Sequence, residues 1–204
     1  RPVGKLADGI LHPADYTLDD GTEPACFDLI RVGVAAPRPS RHQPENWVID
    51  GSRWRLLSRP APAHLAPLLY RAIERGPQLL GSRMPRVLCG MIDPKSARSL
   101  TLVSPPSMEL FHQQDSTGKL RSRVRFTLGV GSRAGSYNLP ITDPLWHGVV
   151  IAQPKAQILR NEEGRYVLTI SLGEAFEGSH YKLAATIAQM PAGYETFKPK
   201  AETS

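Results

Sequence analysis

Aromatic rings are scarce in this chain of 204 residues, with Phe, Trp and Tyr together at 7%. That scarcity argues against an extended base-stacking platform, which needs rings at successive exposed positions. Cysteine is nearly absent. Cys26 and Cys89 lie far apart, each in an apolar run, and no histidine stands beside either at ligand spacing. A structural zinc site is therefore excluded. Two buried, reduced thiols are expected, with a single disulfide as the alternative. No apolar run approaches the ~20 residues that span a bilayer, and no signal-peptide pattern is present. A soluble, cytoplasmic protein is expected. The chain opens on Arg1-Pro2-Val3 without a methionine, which points to a fragment or a processed product.

Enzyme signatures are missing as well. There is no Walker A loop, no dinucleotide fingerprint, no His-Glu-x-x-His and no Gly-x-Ser-x-Gly. Gly129–Gly135 is glycine-rich but lacks the Lys and the following helix, so it reads as a β-turn. Metal-assisted hydrolysis needs several carboxylates or histidines converging on one point. His42, Glu45 and Asp143, with Asp28 or Asp50 nearby, are the only assembly worth testing. Binding is expected rather than catalysis, with no cofactor and no metal.

Proline and glycine, by contrast, are plentiful, at 19 and 17 residues. Both weaken helix interiors and suit short strands joined by turns. One helix is predicted near 63–75, where Leu65, Leu68, Leu69, Ala72 and Ile73 follow a 3.6-residue period. Phe27–Val34 reads as a strand, and Trp47–Asp50 with Trp54–Leu57 as a hairpin around Gly51-Ser52. After residue 81 only strand-like runs are expected: 86–89, 99–104, 108–114, 119–130, 136–141, 155–161, 165–172 and 180–190. Many short strands with few helices favour a barrel or sandwich. A boundary is placed at 80/81, and residues 191–204 form a polar, flexible tail.

The net charge of +6 is unevenly distributed. Residues 1–50 carry a net −3, residues 51–135 a net +10, and residues 136–204 a net −1. Such asymmetry points to a polyanionic partner. Its focus is Lys119-Leu120-Arg121-Ser122-Arg123-Val124-Arg125-Phe126-Thr127-Leu128. In a strand, alternate residues share a face, so Lys119, Arg121, Arg123 and Arg125 stand in one row, with Arg133 in the adjoining turn. Arginine's planar fork suits phosphate. Two readings stay open: a phosphate-binding row, or a solvated face paired with carboxylates such as Glu109.

Two polar islands complete the pattern. His42-Gln43-Pro44-Glu45-Asn46-Trp47 reads locally as a hydrogen-bonded corner, with Trp47 anchoring a strand in the core. Tyr137-Asn138-Leu139-Pro140-Ile141-Thr142-Asp143-Pro144 reads as a strand exit whose Thr142 and Asp143 bond nearby amides. Together with Arg1-Pro2, the two islands resemble the bacterial dual-OB-domain family, found in proteins associated with conflict and anti-phage systems. The resemblance covers roughly residues 1–150 and picks out His42, Gln43, Glu45, Asn46, Trp47, Thr142 and Asp143 as a polar site. Relatives begin further upstream, so the first barrel is expected to lack its N-terminal strand. The resemblance implies a mostly β protein of two small OB-like barrels, 1–80 and 81–190, joined by a short helical segment. It also implies DNA or RNA as partner within an antiviral defence system. A protein partner in a larger complex, docked as by an assembly adaptor, is the rival expectation. No membrane partner is expected.

Overall fold

The structure is a computed structural model and describes residues 1–93, 97–161 and 165–190. The predicted tail at 191–204 lies outside the described residues.

In the first half, β1 (Pro2–Val3) is followed by the short helix α1 (Pro13–Tyr16), β2 (Leu29–Arg31), β3 (Val34–Pro37), β4 (Trp47–Ile49) and β5 (Arg55–Ser58). β4 lies between β1, which is parallel to it, and β3, which is antiparallel; β2 pairs with β5. Leu18, Ile49 and Trp54 form a small core, with Tyr16, Ile30 and Leu56 against it. The hairpin predicted over 47–57 does not form, because both edges of β4 are already taken. Gly51, at φ 92°, turns the chain away, and the Asp50 carboxylate accepts from the Ser52 amide at 2.7 Å. Trp54 is thereby turned inward beside Leu18. The strand predicted from Phe27 starts later, since Phe27 sits in the left-handed region at φ 73°. Cys26 precedes that turn and is exposed, so the expected buried pair is not found; both thiols are free.

Helix α2 (Pro62–Ala72) forms where the periodic stripe predicts one, although two members of that stripe, Leu68 and Ala72, are exposed. Leu65 and Ala66 are buried, whereas Leu68 is 64% exposed. Ala66, Leu69 and Ile73 pack on Leu102, Val167 and Met190, all from the second half. Ile73 bridges Leu102, whose carbonyl accepts from the Glu74 amide at 2.7 Å. Leu79, also on the N-terminal side of the expected boundary, is fully buried in the core of the second half.

The second half comprises β6 (Arg86–Leu88), β7 (Leu100–Val103), β8 (Ser107–Gln114), β9 (Leu120–Leu128), β10 (Gly135–Pro140), helix α3 (Pro144–Ile151), β11 (Gln157–Arg160), β12 (Tyr166–Phe176) and β13 (Ser179–Gln189). These strands follow the predicted runs closely. One sheet has the order β10-β9-β8-β11, the other β6-β13-β12-β7. β7 and β8 are one run bent at Pro105-Pro106, and they pair with β12 and β11 in turn. Each sheet thus continues into the other. A parallel bridge from Ile141 to Ala184 joins the exit of β10 to β13. Val103, Leu110, Val124, Leu139, Leu168 and Ile170, each at most 1% exposed, fill the interior.

Helix α3 is absent from the sequence expectation. It starts because Asp143 accepts from the amides of Leu145 (3.0 Å) and Trp146 (3.3 Å), and Pro144 occupies the first turn. That pairing of Asp and Pro is a helix-start signal.

Between β10 and β13 the barrel has a seam, and residues 77–84 occupy it. The Tyr137 hydroxyl of β10 takes the Leu79 amide at 3.0 Å and reaches the Pro77 carbonyl at 2.6 Å. From β13, the Lys182 ammonium donates to the carbonyls of Ser82 and Met84, both at 2.7 Å. Gly135 lies so close to the Pro77 carbonyl that a Cβ would collide with it.

Candidate nucleic-acid interface

The alternation predicted for the basic strand is present. Ser122, Val124, Phe126 and Leu128 of β9 are buried, Arg121 and Arg125 are exposed, and Arg123 is half-buried. Lys119 precedes the strand and is exposed. Arg133 ends a 3-10 turn at Gly131–Arg133; its side chain lies outside what the structure describes.

The row does not stand free of carboxylates, and the pairing with Glu109 that the second of the two open readings names is present. Arg121 Nε lies 2.8 Å from Asp115 Oδ2 and Arg125 Nη1 lies 2.6 Å from Glu109 Oε2. Strand register is the cause. Glu109 is directly opposite Arg125 in the β8–β9 ladder, and Asp115 begins the turn that leads back to Arg121. Arg123 donates through Nε to the Asn138 side chain at 2.7 Å and through Nη2 to the Asn138 carbonyl at 2.8 Å. Burial, then the neighbouring charge of Arg125, push its pKa down. Bonds from Thr117 and Arg121 hold the Asp115 carboxyl well below the usual range. Two of the four strand cations are thus neutralised, leaving Lys119 and Arg123. Arg121 and Arg125 still present half their side chains to solvent, at 52% and 51% exposure, with N–H groups beyond those in the ion pairs.

The first polar island fastens the two halves. His42, Gln43 and Asn46 are 5–7% exposed. The His42 ring stacks on His180 of β13 with centroids 4.0 Å apart, and its Nε2 lies 3.5 Å from Glu174. Gln43 accepts from Asn46 at 3.0 Å and donates to the Leu172 carbonyl at 3.4 Å. Glu45 Oε1 accepts from the Ser99 amide at 3.1 Å and from the Ser99 hydroxyl. Arg41 donates to the Ile92 carbonyl at 3.3 Å. Trp47 is 45% exposed, so it does not anchor the core as expected; it sits beside Pro2, Val32 and Val34 in a shallow apolar cleft.

The second island is structural too. Asp143 caps α3 with one oxygen and accepts from the Ile187 amide with the other at 3.1 Å. The Thr142 amide donates to the Ala184 carbonyl at 3.0 Å. Asp143 therefore meets β13 at Ile187 and His42 meets it at His180. Six residues of strand lie between them, ~20 Å or more at the usual rise. His42, Glu45 and Asp143 do not share a pocket, and the hydrolase constellation is not assembled. Among the described residues no group of three or more His, Cys, Asp or Glu side chains could hold a metal ion.

Sequence reasoning placed Tyr137 in the second island without its role in the seam, and it missed Lys182. A lysine within the apolar alternation of 180–190 was the available signal.

The strand order defines a class. β7/β8, β9 and β10 form a meander, α3 follows, β11/β12 returns beside the first strand, and β13 closes against the third. That is the five-stranded Greek-key barrel of the OB type, with a helix between strands three and four. The sequence profile of the dual OB-containing domain matches residues 1–187, and the chain belongs to that family. No curated protein and no solved structure matches the chain. Among the described residues no helix is long and apolar enough to cross a membrane.

Proposed function

We propose that this chain is a nucleic-acid-binding module that contacts the phosphate backbone through the outer face of β9 and β10. One observation carries the reading: the arginine row stands on the second strand of an OB-type barrel and faces outward. OB barrels use the face of strands two and three, with the loop before strand two, for oligonucleotides. Here that loop is the Asp115–Lys119 turn. Phosphate competes with Asp115 and Glu109 for the guanidinium groups, so binding is modest until those carboxylates yield. The resemblance of the islands at 42–47 and 137–144 supports a setting in bacterial anti-phage defence, in the cytoplasm.

The test reads salt dependence. Two uncompensated cations give a log–log salt slope of about −1.4 on a single strand, against about −2.8 for four. The double variant Asp115→Asn/Glu109→Gln is expected to tighten oligonucleotide binding and move the slope toward the larger value. Arg121→Glu/Arg125→Glu is expected to weaken it. Affinity unchanged in both variants rejects this face.

An assembly adaptor is the second reading. β11 pairs with β8 on one side only among the described residues, and Ile158 on it is 68% exposed. An unpaired strand edge accepts a strand from another chain. A co-purifying acidic protein, with no retention on immobilised DNA or RNA, favours it.

A further inference from the structure

Two of the chain's few rings stand together at the turn between β12 and β13. Phe176 ends β12 and is 63% exposed. A two-residue turn follows, Glu177 at φ 48° and Gly178 at φ 72°, which is hairpin geometry that fixes the flanking pair Phe176–Ser179. Tyr181 lies on the same face, its ring centroid 6.4 Å from that of Phe176. Opposite Tyr181 in the ladder is Arg86, whose Nη1 donates to the Tyr181 hydroxyl at 3.3 Å. Arg83 and Met84 are exposed on the seam beside it, Met84 at 59%.

Like the arginine row, this strip lies on the outside of the barrel. Tyr181 alternates with the inward Lys182 on β13, and Asn138, which holds Arg123, alternates with the inward Tyr137 and Leu139 on β10. Only the 77–84 segment separates those two strands. An exposed ring, Phe176, beside a half-buried one, Tyr181, with guanidinium groups at their flank, supplies the elements with which single-strand binders hold unstacked bases and their backbone. The nearby carboxylates are Glu177 in the turn and Glu174, which is 80% exposed on its side chain and paired with His42. The backbone is therefore placed on the Arg83–Arg86 side.

We infer that Phe176 and Tyr181, with Arg86 and Arg83, form a stacking subsite for an unpaired nucleotide. The inference rests on the binding function proposed above and deepens it: the preferred substrate is single-stranded nucleic acid, not duplex.

The experiment measures anisotropy of labelled poly-dT and of its duplex with poly-dA against the whole chain. Phe176→Ala is expected to weaken single-strand affinity about 5- to 150-fold, the loss of one stacked base at ~1–3 kcal/mol. Its salt slope and its duplex affinity stay at the wild-type values, since no charge is removed. Phe176→Trp restores binding. Wild-type affinity in Phe176→Ala overturns the subsite, as does equal weakening for single strand and duplex. If Arg121→Glu/Arg125→Glu still weakens binding in that case, the phosphate-binding face stands and only the stacking subsite falls. If neither variant weakens it, both fall. Phe176 is exposed, and an unchanged melting temperature separates lost stacking from lost fold.

Discussion

The two halves of the chain are built to different standards. In the second, β8, β9, β12 and β13 run for 8 to 11 residues, and 15 buried residues form one core cluster. In the first, the strands run for 2 to 4 residues and the comparable cluster has three buried members, Leu18, Ile49 and Trp54. Little apolar surface leaves water in a unit so small. What places the first half is its attachment to the second: Arg41, His42, Gln43 and Glu45 reach Ile92, His180, Leu172 and Ser99. A polar motif that looks like a reactive centre can thus be the fastener of a half-domain that is weak alone.

The largest expected effect comes from cutting between the halves. Residues 73–190 alone are expected to fold cooperatively, because the seam segment with Leu79 travels with them. Residues 1–72 alone are expected to show no cooperative thermal transition by circular dichroism. A sharp melt of 1–72 breaks the comparison.

Next in size is a pair of point variants. Tyr137→Phe leaves the Pro77 carbonyl without its hydroxyl donor and the Leu79 amide with the Ser82 carbonyl alone, at a cost of about 1–3 kcal/mol to the whole barrel. Glu45→Ala deprives the Ser99 amide and hydroxyl of their acceptor, but it also removes a buried carboxylate oxygen that has no hydrogen-bond partner. Its cost is smaller, about 1 kcal/mol, and it falls unequally. Hydrogen exchange should show amides around β4 losing protection while those of β12 and β13 keep theirs. Equal loss in both halves contradicts the fastener.

Legibility follows the same division. From residue 99 onward, apolar alternation punctuated by turns sets strand limits to within a few residues, because one face of each strand meets a large core. Leu145–Ile151 escapes this reading: its apolar residues flank a glycine without helical period, and only Asp143-Pro144 betrays the helix. In the first half, Trp47–Ile49 and Arg55–Ser58 look like hairpin partners, yet each pairs elsewhere. Short strands contribute too little local preference to choose their own neighbours. The arginine row is visible from its period of two. Its neutralisation depends on register, which puts Glu109 opposite Arg125. The fastening role of Gln43 and Glu45 depends on residues 129 and 54 positions away, a distance no local pattern spans.

The last test sharpens the comparison by pH, since each half has its own titrating group. His42 is pushed down chiefly by burial and next by His180, against the pull of Glu174. Its unfolded form binds more protons just below the ordinary histidine value of about 6.5. Stability therefore falls as pH drops through that region, and the loss should register at the fastener. Lys182 titrates at the other end. Its ammonium is fully buried, bonded to two carbonyls with no carboxylate, and desolvation lowers its pKa to about 8. Between about 8 and the unfolded value of about 10.4 the unfolded chain binds more protons. Stability should climb with pH across that interval, by about 1 kcal/mol or less per unit. Tyr137, raised by burial, acts in the opposite sense once its unfolded form ionises. A melting-temperature profile should rise above pH 8 and turn over near ~10. Lys182→Met should remove the rise and leave the acid limb intact; a rise that survives the substitution assigns it to another group.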